Sequence, residues 1–193
     1  GHKYQIDEIK KEHDAVIVIM SGAFTQRGDA AIINKWDRAK SAVLCGASLV
    51  IELPTVFALN TAERFAYGAI SIINALGCVD AVSFGSECGD ISVLTDAANR
   101  IAYEEKEVSD KIAKYLKEGI SYAASRVKAF DGIIDESLLS APNNILAIEY
   151  IKQLILSDSS VLPQTIKRMG SGYHSSSLSH PLASASAIRN SIG

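Results

Sequence analysis

Six consecutive apolar residues, AVIVIM at positions 15–20, constrain this fold more than any other stretch. Strands of a parallel sheet are covered on both faces and need not alternate, so the run reads as a buried parallel strand. Ser21 and Gly22 end it. A loop with Gln26, Arg27 and Gly28 follows, and then a helix with Lys35, Arg38 and Lys40. Open α/β sheets bind ligands beyond the carboxyl ends of their strands. A strand that empties into a basic, glycine-flanked loop is therefore a place to look for an anion. An ordinary strand-to-helix connection with solvated charges fits this stretch equally well.

The rest of the chain supplies the sheet. SLVIELP at 48–54 is a second buried strand, stopped by Pro54. Asn60 and Glu63 have capping-box spacing, Phe65, Ala69, Ile72, Ile73 and Leu76 recur at helical spacing, and Gly77 suits an end cap. Residues 81–84 form a third strand, followed at once by Gly85, Ser86 and Glu87. Strands alternating with helices predict an α/β fold with a doubly wound parallel sheet. A helical insertion occupies about 90–156, with a charged helix over 104–117, a break at Gly119 and Ser121, and a last helix opened by Pro142. Residues 161–166 return as a strand despite Pro163, and Arg168 lies just past its end. Residues 170–186 are rich in Gly and Ser and read as mobile, and a short helix closes the chain. The first thirteen residues read as a helix with Tyr4, Ile6 and Ile9 on one face. A βαβ unit needs a strand to feed such a helix, so the chain reads as starting just after a strand and its turn. The whole of 1–193 is expected to be one domain lacking its first strand.

Composition narrows the function classes. A net charge of -3 gives no global attraction to a polyanion, so any nucleic acid must be held by a local patch or by a part outside this sequence. Cys45, Cys78 and Cys88 lack CxxC spacing, which indicates neither a disulfide framework nor a zinc site. No apolar run approaches the roughly 20 residues of a membrane helix. No signal peptide is visible, so a soluble, cytoplasmic protein is expected.

Chemistry-bearing residues gather at strand ends. Gly85 would let a backbone approach a base or ribose closely, or simply make a tight turn. Arg168 offers a forked donor suited to phosphate, or a surface ion pair. In ASASAIR, at 183–189, Ser184 and Ser186 open a helix and Arg189 follows one turn after Ser186. That pattern suits an anion at a helix N-terminus, and equally a plain serine cap. Asn143 and Asn144 after Pro142 read as a cap or as amides that face a nucleoside.

Together these residues resemble a family. Gly1-His2 is similar to the second half of the HxGH signature of the nucleotidyltransferase superfamily, and ASASAIR to its downstream phosphate loop. More specifically, MSGAFTQRGDAAIINKWDRAK, VIELP, FGSE, APNNILAIEY and TIKRMGSGYH resemble the bacterial tRNA(Met) cytidine acetate ligases, in order and over almost the whole chain. The resemblance implies a Rossmann-like nucleotidyltransferase fold and an enzyme that activates acetate as acetyl-adenylate with ATP and Mg²⁺. The acetyl group then passes to N4 of the wobble cytidine of elongator tRNA(Met).

By that resemblance His2 is catalytic, and Gly1, His2, Gly85, Asn143 or Asn144, and Arg168 contact ATP. Ser184, Ser186 and Arg189 match the triphosphate loop by pattern. Gln26, Arg27, Lys35 and Arg38 are candidates for the acetate or tRNA side. No resident metal ligand is expected. The first histidine of HxGH is not in this sequence, Gln5 stands where a further histidine is common, and family members continue past Gly193 into a helical part. Two other readings fit the residues. One is a nucleotidyltransferase of cofactor synthesis, the other a nucleotide- or tRNA-binding module without catalysis. Oligomeric state is not legible.

Overall fold

In the computed structural model of the chain, residues 1–26 and 28–168 are described. Arg27, the Gly/Ser-rich 170–186, the closing helix, and with them Ser184, Ser186 and Arg189 lie outside the described residues. Among the described residues, parallel strand pairs are joined by helices, the mixed α/β architecture that the alternation predicts. The chain divides into two compact units, one holding Gly1–Ala69 with Arg168 and the other Ile70–Lys167.

The first unit contains α1 (His2–Ile9), β1 (Ile17–Ser21), α2 (Lys35–Leu44), β2 (Leu49–Leu53) and α3 (Thr55–Ala58). It also holds the first half of α4 (Ala62–Leu76). β1 and β2 pair in parallel from Ile17↔Leu49 to Ser21↔Leu53. Parallel neighbours cannot be closed by a tight turn, so α2 carries the crossover. Ala15 and Val16 precede the strand, where the Val16 carbonyl accepts from the Ser48 amide at 2.8 Å and pins the entry to both strands. Leu53, Ala58 and Ala66 are fully enclosed, but α2 has no buried residue, and Ile32, Ile33, Trp36 and Leu44 are exposed.

Helix α4 starts one residue later than the Asn60–Glu63 spacing predicts. Thr61 is its cap, its hydroxyl accepting from the Arg64 amide at 3.4 Å, while the Asn60 side chain accepts from the Thr61 amide. Gly77, at φ +63, ends it as expected.

The second unit pairs β3 (Ala81–Ser86) with β4 (Leu162–Lys167), in parallel from Ala81↔Leu162 to Ser86↔Lys167. The crossover is wholly helical: α5 (Ile91–Ala102), α6 (Lys106–Lys117), α7 (Tyr122–Ala129), α8 (Glu136–Ser140) and α9 (Pro142–Leu156). Proline at the first position of α9 costs no hydrogen bond, because the N–H it lacks has no intrahelical partner there. Phe84, Leu94, Ala98, Ile112, Phe130, Ile148 and Ile151 make the core of this unit. Helix α9 runs through it, buried at Ala147, Ile148, Glu149, Ile151, Lys152, Gln153 and Leu154. Its buried charges are matched. Glu149 lies 2.8 Å from Arg126 and 2.8 Å from Lys152.

Leu94 and Trp36 differ widely in burial, at 0% and 74% exposed. Leu94→Ala is expected to lower the unfolding free energy by about 2–5 kcal/mol. Trp36→Ala should change it by about 0.5 kcal/mol or less. Urea denaturation followed by circular dichroism measures both.

Candidate functional site

Three clusters form at the carboxyl ends of strands or beside a chain segment that leaves one. The first lies where β1 and β2 end. Ser21 is followed by Gly22 and a short hairpin closed by an antiparallel bridge between Phe24 and Ala30. The Thr25 amide donates to the Asp29 carbonyl at 2.9 Å, and Gln26 sits half-buried in the turn. Asn34 caps α2 by accepting from the Asp37 amide at 3.0 Å, which fixes the helix start. Lys35 and Arg38, three residues apart, therefore share a face. Lys35 Nζ donates to Glu52 Oε2 at 2.7 Å. The Arg38 guanidinium donates to the Ser21 carbonyl and, at 2.6 Å, to the Gly22 carbonyl. Arg38 thus neutralises the outward dipoles of the β1 end.

Gly22 lies against Glu52, whose carboxylate occupies the space a Cβ at position 22 would point into. Glu52 carries no site role in the sequence reading, yet it organises this cluster. The signal for it was an acid at the end of an otherwise apolar strand in VIELP. With both partners more than a third exposed, the Lys35–Glu52 pair contributes at most about 1 kcal/mol to stability, so its interest is position.

The second cluster is His2 with Arg168. Gly1 is the N-cap of α1 without a side-chain cap bond, and His2 is the first helical residue. Although its outer edge reaches solvent, surrounding protein desolvates the imidazole and pushes its pKa down. The amino terminus and the Arg168 guanidinium push in the same direction. Residues 166 positions apart in sequence are thus close enough for the charge of one to act on the other. A His2 held neutral near pH 7 keeps one ring N–H to donate.

The third cluster closes the end of β3. Gly85 and Ser86 extend the strand, opposite Ile166 and Lys167, beyond the end at Phe84 expected from the sequence, so Gly85 does not make a turn. The ladder continues because the Ser86 hydroxyl, fully buried, lies 2.7 Å from the Thr165 hydroxyl. Ser86 also accepts from the Gly89 amide at 2.9 Å, and Thr165 donates on to the Phe84 carbonyl. Gly89, at φ +71, makes the turn and lies against Lys167, whose Cβ would be 2.6 Å from a Gly89 Cβ.

Glu87 then reaches the N-terminus of α9. Its Oε1 accepts from the Asn143 amide and the Asn143 side-chain N–H, and its Oε2 accepts from the Asn144 amide at 2.8 Å. Asn144 answers across the same gap, with Oδ1 accepting from the Cys88 amide at 3.0 Å. Asn144 is 3% exposed and its side-chain N–H reaches the Ser137 carbonyl, so its amide works inside the protein. Asn143 is half-buried. Glu87 is a second acid that had no site role in the sequence reading, although FGSE stood out as a motif.

Among the described residues, no group of three His, Cys, Asp or Glu side chains could hold a metal ion, and no helix is long and apolar enough to cross a membrane. A shallow groove of about 360 Å³ beside α5 is lined by Ser92, Asp96, Ile134 and Leu138 among others, and by none of the candidate residues.

Comparison with known proteins bears on these clusters. A family model described as HIGH Nucleotidyl Transferase matches residues 1–193. A tRNA(Met) cytidine acetate ligase of Caldicellulosiruptor saccharolyticus is 48% identical over 195 residues, covering 100% of this chain and 48% of that protein. A protein of the same name from Thermoanaerobacter sp. strain X514 is 46% identical over 198 residues, covering 100% of this chain and 49% of the relative. The crystal structure of Thermotoga maritima TmcAL, bound with alpha-thio ATP, superposes with a TM-score of 0.88 at 35% identity, over 99% of this chain and 46% of that one. Its apo form gives 0.90 at the same identity, over 99% and 48%. This chain spans about half the length of the curated relatives it matches.

The His2 shift is directly measurable. The imidazole is expected to titrate with a midpoint below its ordinary 6.5, read by two-dimensional NMR of the ring nitrogens. Arg168→Ala should move the midpoint up. Since the folded state binds this proton more weakly than the unfolded chain does, the fold should lose stability as pH falls through 6.5 toward the depressed midpoint.

Proposed function

The chain belongs to the HIGH nucleotidyl transferase family, and from that premise we propose that it is the ATP-using portion of a tRNA(Met) cytidine acetate ligase. The observation that carries the proposal is the match of the entire chain to ligases of that one name at 41–48% identity. The likeness to a relative solved with an ATP analogue supports ATP as the nucleotide.

In the proposed reaction an acetate oxygen attacks the α-phosphorus of ATP. The bond from the α-phosphorus to the bridging oxygen breaks, pyrophosphate leaves, and acetyl-adenylate forms. The N4 amine of the wobble cytidine of elongator tRNA(Met) then attacks the acyl carbon, loses a proton, and AMP departs. The protein contributes position and charge to such chemistry more than covalent steps. His2 donates its ring N–H to a phosphate oxygen as negative charge builds. Arg168 places its fork on the departing pyrophosphate, and Ser184, Ser186 and Arg189 join it by their pattern. Mg²⁺ enters with the triphosphate as part of the substrate.

Lys35 has three N–H donors and spends one on Glu52, which leaves it able to bind the acetate carboxylate. Arg38 holds the end of β1 in place beside it. Gln26, in the hairpin after β1, and its sequence neighbour Arg27 are assigned to the RNA side. The proposed enzyme is assigned to the cytoplasm, together with the tRNA it would modify.

An ATP–pyrophosphate exchange assay on the intact protein tests the reading. Exchange is expected to require acetate, and exchange indifferent to acetate would favour a nucleotidyltransferase of another small molecule. ATP binding without exchange and without tRNA acetylation would favour a non-catalytic module. Arg168→Ala should weaken ATP binding at least about tenfold, as loss of a charge-assisted bond does. His2→Ala should slow exchange about a hundredfold, the cost of removing one transition-state donor. Lys35→Ala should raise the KM for acetate with little change in the KM for ATP. Unchanged ATP affinity in Arg168→Ala would remove Arg168 from the site.

A further inference from the structure

The two halves of the proposed reaction differ in their demand for a base. Acetate enters adenylation as a carboxylate and pyrophosphate leaves as an anion, so no proton has to move. Transfer is different, because the cytidine N4 starts with two protons and ends, as an amide, with one. The departing AMP is a poor acceptor, since a phosphate monoester has its second pKa at about 6 and leaves as a dianion near neutral pH. A base beside the acyl group therefore serves the second step alone. The cluster at the ends of β1 and β2, all within the first unit, contains a carboxylate in that place. Glu52 stands opposite Met20 near the carboxyl end of β2, and its Oε2 accepts from Lys35 Nζ at 2.7 Å. Its Oε1 lies in the space that a Cβ on Gly22 would enter, and accepts no hydrogen bond among the described residues.

We infer that Glu52 is the proton acceptor of the transfer step. Two acceptors on one ammonium, each at a normal hydrogen-bond length, sit roughly 4–5 Å apart. An acyl oxygen held by Lys35 thus has the Glu52 carboxylate as its neighbour, with room for one attacking nitrogen between them. As N4 bonds to the acyl carbon, the bond from that carbon to the AMP oxygen breaks and Glu52 Oε1 takes one N4 proton, which passes on to water. Lys35, shared by both groups, keeps the carboxylate from repelling acetate in the first step. The inference rests on the reading of Lys35 as the acetate ligand of an acetate-activating enzyme, to which it adds the residue that acts only on the RNA half of the reaction.

The test separates the two halves in the intact protein, with ATP–pyrophosphate exchange reporting adenylation and acetylation of elongator tRNA(Met) reporting transfer. Glu52→Gln keeps an oxygen for Lys35 but cannot take a proton. At saturating acetate, its kcat for acetylation should fall about a hundredfold or more relative to exchange, with the KM for tRNA little changed. Hydroxylamine attacks acyl groups without help from a base, so it should still capture the acetyl group from the variant as acetohydroxamate. Gly22→Ala is an independent arm. Its φ lies outside the left-handed region, so the backbone admits alanine, and the new Cβ displaces Oε1 while the charge stays. The same loss of acetylation relative to exchange is expected there. If acetylation and exchange keep their ordinary ratio in a Glu52→Gln protein of unaltered melting temperature, Glu52 merely supports Lys35 and the inference falls. If Glu52→Gln does not fold, an ordinary ratio in Gly22→Ala overturns it. Exchange that ignores acetate in the unaltered protein would refute instead the reading on which the inference rests.

Discussion

Parallel pairing is the constraint on which this structure depends. Two strands that run the same way need a long return path, and both pairs here have one, through α2 in the first unit and α5 to α9 in the second. The same geometry puts the carboxyl ends of paired strands side by side. Ser21 lies opposite Leu53, and Ser86 opposite Lys167. The peptide groups at those ends have run out of ladder partners, so side chains must satisfy them. Arg38 takes the carbonyls of Ser21 and Gly22. Ser86 takes the Gly89 amide, and Asn144 the Cys88 amide. The polar residues that finish the strands are thus the ones available for chemistry, and structural and functional roles fall on the same few positions.

The helical crossover of the second unit obeys the same rule in its interior. Glu149, 1% exposed on α9, would be costly to bury alone, and Arg126 from α7 and Lys152 one turn along α9 flank it. Breaking such a pair by removing one partner typically costs about 3–5 kcal/mol, chiefly because a charge is left buried and unmatched. The triad thereby fixes α7 against α9. Helix α9 in turn presents its N-terminus to Glu87, so the hydrogen bonds at the strand end and the ion triad both anchor the same helix.

What the sequence revealed divides along contact distance. The apolar run at 15–20, the alternation of strands and helices, Pro142 as a helix start and Gly77 as a helix end were legible, because each is a local preference. The errors were local competitions settled by remote partners. Gly85 belongs to β3 because Thr165, on the neighbouring strand, bonds the next residue and prolongs the ladder. Thr61 rather than Asn60 caps α4, since the Asn60 side chain folds back onto the Thr61 amide. Glu52 and Glu87 went unassigned for the same reason. Their partners are 17 and about 56 residues away, and nothing near either acid names a lysine or a helix start that far along the chain. Resemblance alone supplied His2 and Arg168 as site residues, and no local pattern in the sequence pairs two positions at opposite ends of the chain.

The charge distribution sets a further condition on the proposed RNA substrate. Between positions 22 and 40 the chain carries Arg27, Lys35, Arg38 and Lys40 against Asp29 and Asp37, a local surplus of two positive charges in a chain of net -3. Lys35 is matched by Glu52, and Arg38 turns to backbone carbonyls, so two of the four cations already have partners within the protein. Phosphate neutralisation by released counterions, the usual source of nucleic-acid affinity, therefore has little to draw on in this segment. A cytidine that reacts here is better held by contacts to the base, which must leave its stack for N4 to be reached. Base contacts discriminate where phosphate contacts only attract. In the proposed reaction the segment after β1 accordingly selects and places the reacting nucleotide, and contributes little to holding the rest of the tRNA.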